Sequence, residues 1–224
     1  GCEENRGRAL QAACLRATMT LAATHRRDAV VGAACRVLGS LAESADGRRR
    51  LAERDGTKLL TSILSRGGLV APPPPPDVVV GAARVVLSLT QVQGELARFV
   101  ALGGHKLAAR LAESAHDAAL VPVMELVLVL ASDAAARDRV VFDGAMRGVL
   151  AVLQRRPLAA TPVVESASAI IAALAHEPRL KPHLRRQGAV GVMEECATVK
   201  NQMVLRRNAT LAINLLRLAA GEAT

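Results

Sequence analysis

The sequence predicts an all-α fold assembled from stacked helical repeats. Three observations carry this: a core built almost without aromatics, the absence of period-2 runs, and two landmarks returning at matching intervals. Of 224 residues, 51% are apolar, yet Trp and Tyr are absent and Phe99 and Phe142 are the two phenylalanines. The core must therefore consist of Ala, Leu, Val and Ile. Ala and Leu lose least on entering a helix, and small side chains let helices approach closely. No alternating apolar run bounded by turn residues marks a strand.

The first landmark is an apolar helix end with Leu near its close. The anchoring leucines are Leu41, Leu89, Leu130, Leu174 and Leu215, spaced by 48, 41, 44 and 41 residues. The second landmark is a Gly between a short and a medium helix: Gly56, Gly103, Gly144 and Gly188. Gly there can take the left-handed conformation that ends one helix, and it spares a Cβ where two helices meet sharply. An apolar residue stands four positions ahead in Phe99, Val140 and Leu184, whereas Leu51 lies five ahead of Gly56.

At these residues the sequence resembles the armadillo-repeat family. The order short helix, Gly, medium helix, loop, long helix is similar to that family's H1–H2–H3 layout. So are the junctions Gly144-Ala145-Met146 and Gly188-Ala189-Val190, and the ending Ala209-Thr210-Leu211-Ala212-Ile213-Asn214-Leu215. The resemblance implies a right-handed α-solenoid, or superhelix, of three-helix repeats. The period also fits HEAT units, which stay as an alternative. Expected boundaries are 1–44 for a partial repeat with helices near 8–24 and 28–44, then 45–92, 93–132, 133–176, and 177–224 with a short tail. Together they form one domain. Because the first unit is partial, it is expected to expose apolar surface covered by further residues or a partner, and the chain reads as a fragment or processed form.

Five prolines, Pro72 through Pro76, fall between H2 and H3 of the 45–92 unit and account for its extra length. Such a run is expected to be extended polyproline, a surface insertion or a docking segment. Pro157, Pro162, Pro178 and Pro182 sit at or near expected helix starts. Pro122 falls in the first turns of its H3 and is expected to kink it.

No catalytic or metal chemistry is legible. Cys2, Cys14, Cys35 and Cys196 form no C-x-x-C pair, and they read as small apolar residues in a reducing compartment. None of His25, His105, His116, His176 and His183 has the i, i+4 partner of a helical metal site. His25 and His176 close expected helices. Glu194 and Glu195 are successive and point apart. No cofactor is expected, and no stretch reaches the ~18 uninterrupted apolar residues of a membrane span.

Function is therefore expected to reside in a surface. The resemblance implies that H3 helices line a concave face that binds protein segments. Its candidate residues are Arg36, Ser40, Arg84, Ser88, Glu125 with Val129, Glu165 or Ser166 with Ala173, and Arg206, Arg207, Thr210 and Asn214. Arg36 and Arg84 hold matching places and suit an acidic segment. The family's peptide-clamping members carry an Asn ladder along H3, often with Trp. Here the ladder places are Ser40, Ser88, Val129, Ala173 and Asn214, so classical nuclear-localisation peptides are not expected ligands. The reading is a non-catalytic scaffold or adaptor, cytoplasmic or cytoskeleton-associated, as in a ciliary axoneme. The formal charge of +9 supports an alternative, phosphate-backbone binding to nucleic acid, which would be steeply salt-dependent. The missing aromatics argue against single-strand readout.

Overall fold

The computed structural model describes residues 2–66, 74–114, 116–155 and 161–218, the side chains of 2–11 and 114 excepted. Among the described residues there are helices and no strands. The chain packs as two units, residues 1–102 and 103–224. The first holds α1 (Cys2–Thr24), α2 (Asp28–Ala42), α3 (Ala45–Glu53), α4 (Gly56–Leu64), α5 (Pro76–Leu89) and α6 (Glu95–Ala101). The second holds α7 (Gly104–Ser114), α8 (Asp117–Ser132), α9 (Arg137–Phe142), α10 (Ala145–Gln154) and α11 (Thr161–Ala175). A 3-10 turn, Pro178–Leu180, then leads into α12 (Lys181–Arg186), α13 (Ala189–Ala197) and α14 (Met203–Leu218).

The left-handed landmark is more regular than the glycines alone suggest. The residues with positive φ at the short-to-medium helix junctions are Asp55 (61°), Gly103 (80°), Gly144 (97°) and Gly188 (81°). Gly56 is thus not the left-handed residue. It opens α4, where an added Cβ would come within 2.7 Å of the Leu51 carbonyl oxygen. With Asp55 as the landmark, Leu51, Phe99, Val140 and Leu184 all lie four residues ahead of the turn, and all are buried. The residues just after it, Gly56, Gly104, Ala145 and Ala189, are buried and small. Asp tolerates the left-handed region better than most residues, which is why the substitution is viable.

The anchoring leucines need correction at both ends. Leu89, Leu130 and Leu174 are buried, but Leu41 and Leu215 are only half-buried. In α2 the buried stripe is Val31, Ala34, Cys35, Leu38 and Ala42; in α14 it is Leu205, Ala209, Ala212 and Leu216. Both follow the helical period, and each passes one residue beside the assigned leucine.

Close helix approach depends on missing side chains. In the first unit α2 and α5 pack in parallel, with Gly32 against Asp77 and Val78, Gly81 against Cys35, and Gly39 against Val85. A Cβ on Gly81 would sit 2.8 Å from that of Cys35. In the second unit α7 and α10 approach similarly: a Cβ on Gly148 would sit 2.6 Å from that of Ala112 and 2.8 Å from its backbone carbon.

Pro72 and Pro73 lie outside the described residues. Pro75 has φ −52° and ψ 150°, the polyproline conformation, but Pro76 is helical and opens α5. The expectation of five extended prolines thus fails at Pro76, because the first helical position needs no N–H donor. Pro162 and Pro182 likewise fall in first turns, while Pro157 lies outside the described residues. Pro122 is buried within α8.

Candidate functional site

Four arginines are committed to helix ends. Arg66 donates to the carbonyls of Ala22 (2.7 Å), Ala23 (3.3 Å) and His25 (3.4 Å) at the end of α1. Arg48 reaches Ala42 (3.0 Å) and Glu43 (2.9 Å) at the end of α2. In the second unit Arg137 donates to Ser132 (3.2 Å) at the end of α8, and Arg185 to Leu216 near the end of α14. Terminal carbonyls lack intrahelical donors and carry the negative end of the helix dipole, so a guanidinium is well matched to them. Arg48 and Arg137 each stand seven residues before the left-handed turn, so the device repeats.

Other cations are held by carboxylates. Arg98 pairs with Asp55 and Glu95, Arg155 with Asp117, and Arg137 and Arg179 with Glu177. The hydrogen bond that Arg98 donates to Asp55 raises the Arg98 pKa further. Thr57, buried, donates to buried Glu95. Apart from the local pairs Arg98–Glu95 and Arg179–Glu177, these interactions tie neighbouring helices together.

Arg36 and Arg84 differ. Both are exposed, and neither pairs with a carboxylate among the described residues. The parallel seam fixes where they point. Arg36 follows the seam residue Cys35, and Arg84 precedes the seam residue Val85, each by about 100° of helix rotation. Because the two seams face each other, these opposite rotations bring both arginines to one side. The core residues Val31, Leu38, Val78 and Leu89 lie on the other. Ser40, exposed, lies one turn beyond Arg36. Ser88, half-buried, lies one turn beyond Arg84 and donates to the Arg84 carbonyl at 3.1 Å. The structure therefore brings Arg36, Ser40, Arg84 and Ser88 to one face of the first unit.

In the second unit the α11–α14 seam is marked by Asn208, whose amide donates to Ser168 Oγ (3.0 Å) and to the Glu165 carbonyl (3.4 Å). Relative to that seam, Arg206, Thr210, Asn214 and Arg207 are all exposed and fall within one arc of about 100° on the side of α14 turned away from Asn208. Glu125 is exposed on α8 beside half-buried Val121, Leu128 and Val129. Glu165 and Ser166 are half-buried on α11 with Ala169 and Ala173. Neither Glu125 nor Glu165 pairs with a cation among the described residues.

Three features escaped the sequence reading. His105 is buried, with Nε2 3.0 Å from Asp143 Oδ2. Asn208, not Asn214, bridges two H3 helices. Phe142 is exposed and meets His183 edge-on. A groove of about 400 Å³ between α1 and α4, lined by residues including Met19, Arg54 and Lys58, contains no histidine or cysteine. Cys14, Cys35 and Cys196 are free, and burial pushes the Cys35 thiol up to about 11. Among the described residues, no three His, Cys, Asp or Glu converge to hold a metal, and no helix is long and apolar enough to cross a membrane.

No family model matches the sequence. No curated protein matches it either. Solved structures do. An engineered protein superposes with a TM-score of 0.75 at 16% identity, over 90% of this chain and 80% of that one. A computationally designed armadillo repeat protein for modular peptide recognition gives 0.75 at 16% identity, over 88% and 80%. A designed armadillo repeat protein in complex with peptide (KR)4 gives 0.74 at 16% identity, over 89% and 80%. At this identity the likeness concerns the fold, and the chain has the armadillo-repeat fold.

Proposed function

We propose that this chain is a non-catalytic protein-binding scaffold that receives an acidic segment of a partner across the exposed face of α2 and α5. The observation that carries this is the shared orientation of Arg36 and Arg84 without a described carboxylate. Arg48, Arg66, Arg137 and Arg185 already hold helix carbonyls, whereas Arg36 and Arg84 hold neither a carbonyl nor a carboxylate among the described residues. Ser40 adds a hydroxyl beside them. Peptide recognition by designed proteins of the same fold supports the reading, and the cations here favour a ligand opposite in sign to (KR)4. The proposed setting is a cytosolic or cytoskeletal assembly, such as a ciliary axoneme, in which free Cys14, Cys35 and Cys196 stay reduced.

A pulldown with the chain as bait tests it. Recovery of a partner by the parent chain and its loss from the Arg36→Glu/Arg84→Glu double variant is expected. Retention by the double variant would show that this face is not the site. The +9 charge favours one second reading, binding to nucleic-acid phosphates. Retention of mixed-sequence RNA at moderate salt, falling steeply as salt rises, would select that reading instead.

A further inference from the structure

Phe142 and Phe99 have opposite fates. Phe99 is completely buried, whereas Phe142 is 56% exposed at the end of α9. The Phe142 ring lies 4.7 Å from that of His183, on α12, at an interplanar angle of 82°. His183 is itself held: Arg186 Nη2 lies 2.6 Å from its Nδ1. Arginine is a donor only, so Nδ1 accepts, and the imidazole turns Nε2 into its N–H. The pair is thus an edge-on aromatic contact braced from behind by a guanidinium.

The carboxylates near it are committed, Asp138 to Arg179 and Asp143 to His105, while two arginines beside it are not paired with a described carboxylate. Arg139 is exposed and three residues before Phe142, which places it on the same side of α9. Arg186 is exposed and three residues after His183. Neither pairs with a carboxylate among the described residues, unlike Arg137 and Arg179 nearby. An exposed aromatic flanked by two arginines without a described carboxylate has the composition of a protein-binding hot spot. A single ring already engaged by a histidine does not form the series of stacking platforms that single-stranded nucleic acid uses.

We propose that Phe142 and His183, flanked by Arg139 and Arg186, form a second protein-binding surface on the H1 helices, which takes an acidic segment carrying a large apolar anchor residue. The anchor packs on the Phe142 ring, and the partner's carboxylates meet the two guanidinium groups. This surface is separate from the α2–α5 face and does not depend on it.

The test uses the full chain carrying Arg36→Glu/Arg84→Glu, which silences the first face. Fluorescence anisotropy follows a labelled Asp/Glu peptide with one central Phe, a matched peptide with Ala in its place, and oligouridylate. Saturable binding of the Phe peptide is expected, weakened roughly tenfold by Phe142→Ala and by the separate variant Arg139→Glu. Thermal melts confirm that both variants fold. The proposal is overturned by absence of saturable binding, by equal binding of the Ala peptide, by indifference to Phe142→Ala, or by displacement of the peptide by oligouridylate.

Discussion

Arg98, on α6, forms an ion pair with Asp55, the residue that turns α3 into α4 in a left-handed conformation. Gly103, Gly144 and Gly188 hold the equivalent turns without a side chain. Asp55 therefore bears two roles, one conformational and one electrostatic, and substitution separates them. Asp55→Gly removes the pair but relieves the left-handed strain, and stability is expected to stay close to that of the parent. Asp55→Ala removes the pair and keeps the strain, and is expected to cost about 1–2 kcal/mol in urea unfolding. Equal stability of the two variants would contradict the assigned backbone role.

Glycine-to-alanine changes should divide by contact. Gly81→Ala and Gly148→Ala force a Cβ against Cys35 and Ala112, and each is expected to destabilise by roughly 1–3 kcal/mol. Gly191 lies inside α13 with nothing within 4 Å of an added Cβ. Gly191→Ala is expected to stabilise by about 0.5–1 kcal/mol through helix propensity. Chemical denaturation of the three variants checks the sign in each case.

Arginines should likewise fall into two classes. Arg66→Ala strips three carbonyls at the end of α1 of their shared donor and is expected to cost about 1–2 kcal/mol. Arg36→Ala is expected to change stability by no more than about 0.5 kcal/mol, as befits a solvated side chain. Denaturation midpoints of the two variants measure the difference. A loss at Arg36 as large as at Arg66 would mean that Arg36 is structural.

Cysteine chemistry gives a pH signature. Burial raises the Cys35 pKa from its ordinary 9.0 to about 11, so the folded chain keeps the proton longer than the unfolded chain. That contribution is fully present below pH 9 and is lost as pH climbs toward 11. Stability is expected to fall across this window, and less so in Cys35→Ala relative to its own value at neutral pH. At pH 8, peptide mass spectrometry is expected to show exposed Cys14 alkylated ahead of buried Cys35.

The period of the fold was legible because Leu89, Leu130 and Leu174 are buried as their spacing implies. Leu41 and Leu215 misled because each stands beside other apolar residues, and only the packed seam decides which of them turns inward. Asp55 was hidden because a left-handed turn is usually sought as Gly. The arginine caps were hidden for a different reason. Their acceptors are backbone carbonyls, and Arg66 lies 44 residues from Ala22, so no residue pair marks the contact. On the candidate face, i, i+4 spacing grouped Arg36 with Ser40 and Arg84 with Ser88. On α14 the outward side is fixed by the Asn208–Ser168 contact, which joins residues 40 positions apart.

Hydrogen exchange followed by mass spectrometry, on the chain with and without a saturating acidic peptide, tests the binding role of the first face most directly. Slowed exchange is expected in peptides from α2 and α5, residues 28–42 and 76–89, and is expected to vanish in the Arg36→Glu/Arg84→Glu variant. Saturable binding that leaves both helices unchanged, or protection that persists in the double variant, would contradict it.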